Sequence, residues 1–340
     1  MLEFEFSEKD LNFECTGWRD LANIEETLTK FDRALFEKWR EISNNGILMY
    51  KLDDLEGRCI GDRYKFQLQL NPERVKKRKG PTISQINIPF DPNRFHFGKV
   101  RQEEILFKIK DNLIIINIYP LDIGHVLLVP SIDRQLPQSL NDSAVLFGVE
   151  CLLLSGHPGC TVGFNSLGAL ASVNHLHMHM WFVRGQLPIS SVEVREIEGT
   201  TLSMGDVTKD DYVVRLVAFQ MINNDVNKFV ELITASAQYL QKKEIAHNII
   251  LVKGSNFSKN GNTIRAFVWP RQSILGEPKN PINHFVAVAE VAGHVTVYNE
   301  EFYRTAKEEL MSESIREPAF EDKVFDEIRN GLVNTVKKIL

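Results

Sequence analysis

The sequence predicts an α+β fold made of two related units in tandem. Three observations carry this. Amphipathic segments with apolar residues at spacings of three and four alternate with short β-branched runs, the mark of helices and strands mixed along one chain. The runs IKDNLIIINIYP and HVLLVP are joined through a turn marked by Pro120 and Gly124, which makes them antiparallel neighbours. The order helix, strand, strand over residues 139–183 returns over residues 226–270, so the chain reads as an internal duplication.

In chain order, Ile24–Ser43 reads as a helix, with Leu28, Phe31, Leu35, Phe36 and Trp39 recurring at helical spacing before the Asn44-Asn45-Gly46 loop. Tyr64–Leu70 alternates as a strand and runs into NPERVKKRKGP. Ile114–Ile118 reads as a buried strand and His125–Pro130 as its return. Ser139–Leu154 reads as a helix, CTVGFNSLG as strand then turn, and NHLHMHMWFV as a further strand. In the second half, Val226–Lys243 is an amphipathic helix with Phe229, Leu232, Ile233, Ala237 and Leu240 on one face. HNIILVKG and IRAFVWP are strands around a Ser/Asn/Gly loop, and HFVAVAEVAGHVTVYN follows with its own GHV. IRAFVWP stands where HLHMHMWF stands in the first half but lacks its histidines, so the second copy reads as degenerate. The division that follows is 1–60, an N-terminal helical and extended segment; 61–195, the histidine-bearing unit; 196–316, the degenerate unit; and 317–340, a charged C-terminal helix.

Composition excludes several classes. A chain of 340 residues, 43% hydrophobic and 25% charged, can bury a sizeable core. The net charge of −5 argues against a nucleic-acid partner. No apolar run is long enough to span a membrane. The acidic MLEFEFSEKDLNFE start lacks the layout of a signal peptide. Cys15, Cys59, Cys151 and Cys160 are scattered without a CxxC pair and read as reduced thiols of a cytoplasmic protein.

The chemistry is concentrated in NSLGALASVNHLHMHMWF. On a strand, His175, His177 and His179 share one face, and Leu176, Met178 and Met180 take the other. Three uses compete for such a face: packing, metal ligation and phosphate handling. Imidazoles at HxH spacing suit zinc, but no Asp or Glu lies between Glu150 and Glu193 to complete a hydrolytic site. The same lack of carboxylates suits a bound pyrophosphate, since like charges repel at close range. GFNSLGALAS adds backbone N–H groups with little side-chain bulk, and Ser166 and Ser172 add hydroxyls. A neutral histidine whose second nitrogen is held by a carbonyl two residues back can then attack phosphorus.

VNHLHMHM, with PLDIGHVLLVP before it, resembles the histidine-triad superfamily of nucleotidyl transferases and hydrolases. The stretch from FQLQLNPERVKKRKG through PFDPNRFHFGKVRQEEILF, INIYPLDIGHVLLVP, LPQSL and GFNSLGALASVNHLH is similar, more narrowly, to the GDP-hexose phosphorylases, animal and plant, relatives of galactose-1-phosphate uridylyltransferase. The resemblance covers roughly residues 60 to 300. It implies tandem histidine-triad-like units, each an antiparallel half-barrel sheet with flanking helices. It also implies phosphorolysis of a GDP-hexose by inorganic phosphate, with no cofactor or metal. The plant branch carries Gln at the third triad position; His179 here matches the animal branch, whose substrate is GDP-D-glucose rather than GDP-L-galactose. His177 is then the implied nucleophile that becomes guanylylated. The carbonyl of His175 orients it, His179 contacts nonbridging oxygens, and Asn165, Ser166 and Ser172 hold the phosphates.

Further expectations attach to the same resemblance. Arg74, Lys77 or Arg78 of the RVKKRK cluster folds over the phosphates, joined by Asn71; the bland alternative is a solvated loop. Asn117 and Gly124-His125 match the strand–turn–strand that walls base and ribose, with a structural turn histidine as the alternative for His125. Asp91 and Phe90 line the base pocket, the carboxylate accepting from guanine N1 and N2. Trp269 and Arg271 pack. A homodimer is the assembly simple triad proteins adopt, although two units in one chain can satisfy each other. The competing functions are a histidine-triad nucleotide hydrolase, indifferent to phosphate, and a non-enzymatic nucleotide-binding module, which has no need of an intact His177.

Overall fold

The computed structural model describes residues 2–18, 23–52, 55–77, 85–274 and 285–340. After an extended N-terminal segment comes helix α1 (Lys30–Asn44), opened by a Thr29/Asp32 capping box. Asp32 is fully buried, and its carboxylate also accepts from Ser155 Oγ at 2.6 Å and Gly156 N at 2.7 Å, which fixes α1 beside the end of a later helix. Next are β1 (Gly57–Ile60), β2 (Phe66–Leu70), α2 (Pro72–Lys77), β3 (Ile105–Ile109), β4 (Asn112–Ile116), β5 (Val126–Val129), α3 (Asp142–Leu154), β6 (Cys160–Asn165) and β7 (Met178–Phe182). The second half holds β8 (Arg195–Glu196), β9 (Met204–Val207), β10 (Leu216–Gln220), α4 (Val226–Lys242), β11 (Ala246–Ser255) and β12 (Asn262–Arg271). Then follow α5 (Val288–Ala292), β13 (His294–Val297), α6 (Glu300–Thr305), α7 (Glu308–Arg316) and α8 (Asp322–Lys337).

Ten strands form one antiparallel sheet in the order β3-β4-β5-β7-β6-β11-β12-β10-β9-β8. Read outward from the β6/β11 seam, the halves are the same list: β6, β7, β5, β4, β3 on one side and β11, β12, β10, β9, β8 on the other. Each half places its long helix, α3 or α4, between the same two strands in sequence. The duplication expected from the helix–strand–strand order is therefore present, and it extends to β8, β9 and β10, which sequence reading did not assign. The halves join edge to edge, Thr161–Asn165 against Asn248–Val252. This closes two edges that would otherwise be open to mispairing.

One face of the sheet carries α1, α3, α4 and α8 over Leu176, Met178, Met180, Phe182, Val162, Phe164, Leu251 and Val268. The other face carries Trp181, Ile250, Phe267 and Trp269 under a small sheet, β1-β2-β13, in which β13 runs parallel to β2. The GHV at Gly293–Val295 thus feeds the small sheet; the counterpart of β5 in the second half is β10. The alternation of the triad is held by this layering. Slipping β7 by one residue would expose Leu176, Met178 and Met180, each worth roughly 1.5–3 kcal/mol of burial, and drive imidazoles into the helical core. Aligning Trp181 with Trp269 on their common face places Arg265 where His177 stands. Arg265 is buried and donates to the carbonyls of Ser190 (3.0 Å) and Val192 (2.9 Å), a packing role consistent with a degenerate unit.

Two boundaries differ from expectation in a way that matters. The helix expected from Ile24 starts at Lys30, after a short 3-10 turn. The strand expected over NHLHMHMWFV begins only at Met178. Before that point Leu176 N donates to Leu136 O, and the His177 backbone is taken by a glutamine side chain, so the ladder to neighbouring strands has not yet begun. No helix among the described residues is long and apolar enough to cross a membrane.

Candidate active site

On the face away from the long helices, a cavity of about 340 Å³ opens over β4, β5 and the triad. Phe95, Val100, Ile115, Leu127 and Val173 form an apolar end; Asn117, Tyr119, Arg74, Ser172, His177 and His179 form a polar end, where Phe97 packs against the His177 ring at 4.9 Å between centroids. The apolar end is built by register. Ile115 pairs with Leu127, and Leu127 pairs with His179, so the wall and the triad occupy one row across three strands.

His177 is the best-defined group at the polar end. Its Nδ1 lies 2.7 Å from the carbonyl of His175, two residues back. That contact puts the proton on Nδ1 and leaves Nε2 with its lone pair, on a ring that lines the cavity. Burial pushes the His177 pKa down to about 4, against a smaller opposing pull from the His175 carbonyl, so the ring is neutral near pH 7. The backbone around it is clamped by Gln138, itself buried. His177 N donates to Gln138 Oε1 at 2.9 Å, while Gln138 Nε2 donates to the carbonyls of His177 (3.1 Å) and Asn165 (2.9 Å). The clamp fixes the ring without relying on strand hydrogen bonds.

The two flanking histidines differ. His175 Nδ1 accepts from Phe97 N at 3.0 Å, and the ring stacks on Phe97 at 5.6 Å between centroids. Burial, then the neighbouring His177 and His96, lowers its pKa to about 4. His175 thus offers its carbonyl to the site and holds its ring in a dry pocket. His179 lies on the cavity wall. Its Nδ1 lies 3.2 Å from His125 Nε2, and His125 Nδ1 accepts from Leu121 N at 2.8 Å. Because that N–H occupies Nδ1, the His125 proton sits on Nε2 and points to His179 Nδ1. The His179 proton is then on Nε2, which makes its cavity side a hydrogen-bond donor. His125 is therefore buried and connected to the site through His179, more than a turn residue. Asn117 Nδ2 also lies 3.2 Å from His125 Nε2, its Oδ1 accepting from Tyr119 N at 2.9 Å, so with the proton on Nε2 that amide contact is packing and His179 Nδ1 is the acceptor.

The remaining sequence-predicted residues divide. Arg74, Asn117 and Ser172 do line the cavity. Arg74 is buried, with Nη1 donating to Tyr50 Oη (3.1 Å), Pro120 O (3.1 Å) and Tyr119 O, so it reaches the site as a fixed wall rather than a flexible loop. Asn71 stands behind it: its Oδ1 accepts from Arg74 N at 3.1 Å, capping α2, and it does not line the cavity. Lys77 ends α2, and Arg78 lies outside the described residues. Asn165 and Ser166, expected to hold phosphates, lie outside the cavity lining and are engaged with the protein. Asn165 Oδ1 accepts from Asn248 Nδ2 (2.6 Å) and Val288 N (3.0 Å). Ser166 Oγ donates to Leu167 O (3.0 Å) and accepts from His247 N (2.9 Å). Both are buried and tie the loop to the second unit, Ser166 through its hydroxyl in both directions and Asn165 through Oδ1. Two of the loop's N–H groups, those of Ala169 and Ala171, likewise donate to Ser166 O. Asp91, expected at the base pocket, also lies outside the cavity lining. It sits in a turn, accepting from Asn93 N at 2.9 Å and facing Arg94 at 3.6 Å. Phe90 packs on the His175 ring instead.

Sequence reading missed Gln138, Phe97 and Glu104. LPQSL and FHFGKVRQEEILF were noticed as strings, yet a lone glutamine or phenylalanine carries no pattern that marks it as a clamp or a wall.

Residues 30–181 match the family model described as "GDPGP1-like, N-terminal domain", and residues 191–339 match "GDPGP1-like, C-terminal domain". Among curated proteins, the chain is 34% identical to the Homo sapiens protein named GDP-D-glucose phosphorylase 1, over 90% of this chain and 84% of that one. It is 35% identical to the protein of that name from Danio rerio, over 89% of each. It is 27% identical to GDP-L-galactose phosphorylase 2 of Arabidopsis thaliana, over 92% of this chain and 78% of that one. Among solved structures, the yeast Ap4A phosphorylase Apa2 in complex with AMP superposes with a TM-score of 0.60 at 16% identity, covering 85% of this chain and 96% of that one. That likeness shows the tandem histidine-triad-like fold. With both halves matched by their models, the chain belongs to the GDPGP1-like family.

Proposed function

We propose that this protein is a nucleotidyltransferase that phosphorolyses GDP-D-glucose to GDP and glucose 1-phosphate. The observation that carries the proposal is His177: a buried, neutral imidazole with Nδ1 held by the carbonyl two residues back and its ring lining a cavity. In the first step Nε2 bonds to the α-phosphorus, the bond from that phosphorus to the bridging oxygen breaks, and the electron pair leaves with glucose 1-phosphate. No proton has to leave Nδ1; its bond to the His175 carbonyl strengthens as the ring becomes cationic. The Nε2–H of His179 donates to a nonbridging oxygen as charge develops there. In the second step an oxygen of inorganic phosphate attacks the same phosphorus, the P–N bond breaks back to His177, and GDP forms. Arg74, Asn117 and Ser172 supply the remaining charge and donors along the polar wall.

The choice of hexose is supported by the names of the relatives at 34–35% identity, set against 27% for the plant GDP-L-galactose phosphorylase, and by His179. The test is turnover of GDP-glucose, GDP-mannose and GDP-L-galactose with and without phosphate, on the natural chain and on His177→Asn. Phosphate-dependent release of GDP and glucose 1-phosphate, lost in the variant, is the expected result. Release of GMP without phosphate would make the protein a hydrolase.

A further inference from the structure

The cavity ends on an acidic residue that the chemistry at His177 does not use. Glu104 is the one carboxylate among the described residues lining it, and it belongs to the apolar end. The strand register measures how far it lies from the triad. His179 pairs with Leu127, Leu127 with Ile115, Ile115 with Ile105, and Glu104 immediately precedes Ile105. Three strand spacings are about 14 Å. That matches a nucleoside monophosphate laid across the strands with its phosphorus at the histidines. A carboxylate at this remove repels the phosphates weakly, whereas one beside the triad would not.

The side chain is prepared for a ligand. Glu104 is 12% exposed at its side chain, and both of its protein donors, Arg101 Nε (2.8 Å) and Arg101 N (3.4 Å), converge on Oε1. No donor among the described residues reaches Oε2. The carboxylate is therefore anchored through one oxygen and open at the other, between apolar walls that suit a flat heterocycle. Guanine offers two adjacent donors, N1–H and the 2-amino group, and a carboxylate accepts both. Adenine offers an N1 lone pair at the same place, which a carboxylate repels.

We propose that Glu104 selects guanine, accepting from N1–H and the 2-amino group while Val100, Ile115, Leu127 and Val173 enclose the ring. This rests on the GDP-hexose reading above and names the residue that makes the substrate a guanine nucleotide. Glu104→Gln converts two acceptors into an acceptor and a donor, the complement of adenine N1 and its 6-amino group.

The experiment compares GDP-glucose, IDP-glucose (which lacks only the 2-amino group) and ADP-glucose by phosphate-dependent kcat/KM. Equilibrium binding of GDP, IDP and ADP is measured in parallel, on the natural chain and on Glu104→Gln. In the natural chain the inosine compounds should be weaker than the guanine compounds by about 10- to 150-fold, the worth of one hydrogen bond to a charged group. In Glu104→Gln the guanine preference should fall by at least that factor and the adenine compounds should gain. Equal handling of GDP and IDP by the natural chain, or an unchanged GDP-to-ADP ratio in a folded variant, overturns the assignment. Should Glu104→Gln not fold, Glu104→Asp is measured instead: withdrawing the carboxylate by one methylene should shrink the GDP-to-IDP ratio, and an unchanged ratio overturns the assignment. Selective GDP binding without turnover would defeat the phosphorylase reading and leave the Glu104 assignment standing, so the two failures are distinct.

Discussion

Gln138→Met tests whether the site depends on the clamp behind the nucleophile. Methionine keeps the length and bulk of glutamine, so the cavity left in the core is small. What is lost is three hydrogen bonds of 2.9–3.1 Å, leaving the His177 N–H and the Asn165 and His177 carbonyls without that partner in a buried place. An unsatisfied buried group costs about 1–3 kcal/mol. The carbonyls retain a second lone pair and some freedom to shift, so a total of about 2–5 kcal/mol is expected. Urea unfolding reads this as a lower midpoint at constant slope. Gln138 does not line the cavity, so substrate binding should hold while the imidazole loses its fixed aim. Misplacement of a reacting group by about 1 Å costs on the order of 100-fold; kcat should fall by about 10- to 100-fold with KM changed less than about threefold. A variant that loses stability but keeps its kcat would show the clamp to be structural only. One that keeps both would refute the reasoning about the His177 backbone outright.

Two further outcomes follow from the same geometry. His177 and His247 are buried neutral, each lowered by burial from 6.5 to about 4. Between those values the unfolded chain binds protons that the folded chain refuses, so stability falls as pH drops from about 6.5 toward 4. At pH 5 each contributes a loss of about 2 kcal/mol, and the urea midpoint should be clearly lower at pH 5 than at pH 7.5; equal midpoints would contradict it. The serines of the loop should separate. Ser166→Ala strips His247 N–H of its acceptor and should lower stability by about 1–3 kcal/mol, whereas exposed Ser172→Ala should leave stability unchanged and raise KM for GDP-glucose by about 2- to 10-fold. The reverse pattern would restore Ser166 as a phosphate ligand.

What could be read in advance was whatever depends on local spacing. Alternation put three imidazoles opposite Leu176, Met178 and Met180, and helical periodicity located α1, α3 and α4, because both patterns are imposed by the burial of one face. The carbonyl of His175 as the partner of His177 was expected from the two-residue spacing, and it holds although both residues precede β7. What failed depends on chain segments far apart in sequence. Asn165 and Ser166 have the right side chains for a phosphate, and only the arrival of β11 against β6 turns them to Asn248 and His247. Asp91 and Glu104 lie in one stretch and offer the same carboxylate; β3 pairing with β4 carries Glu104 to the cavity, and a local turn keeps Asp91 away. β8 is two exposed residues, too short for any pattern, and the small sheet joins β2 to β13 from opposite ends of the chain.

The second unit's retention, despite the loss of its histidines, has a physical reason in the seam. The first half of the loop that precedes the triad is anchored in large part by residues beyond position 240, while Asn174 at its end is held by Gln138, Ile88 and Pro89. Asn248 Nδ2 donates to Asn165 Oδ1 and to Ala169 O (3.1 Å), the His247 backbone exchanges two hydrogen bonds with Ser166, and Ile274 N donates to Gly168 O at 3.0 Å. Gly168 and Leu170 both take positive φ there, +77° and +78°, a conformation that L-residues such as Leu170 adopt only where the surroundings enforce it. A single unit would present β6 as an open edge and leave this loop without its partners. The second copy meets the first through its strand edge and donors of that edge, contacts that need no histidine triplet of its own. The nucleophile position could then be taken by Arg265, whose guanidinium closes the carbonyls of Ser190 and Val192. The asymmetry of the sequence and the symmetry of the sheet are two sides of one arrangement, in which one unit carries the triad and the other helps hold the loop in place.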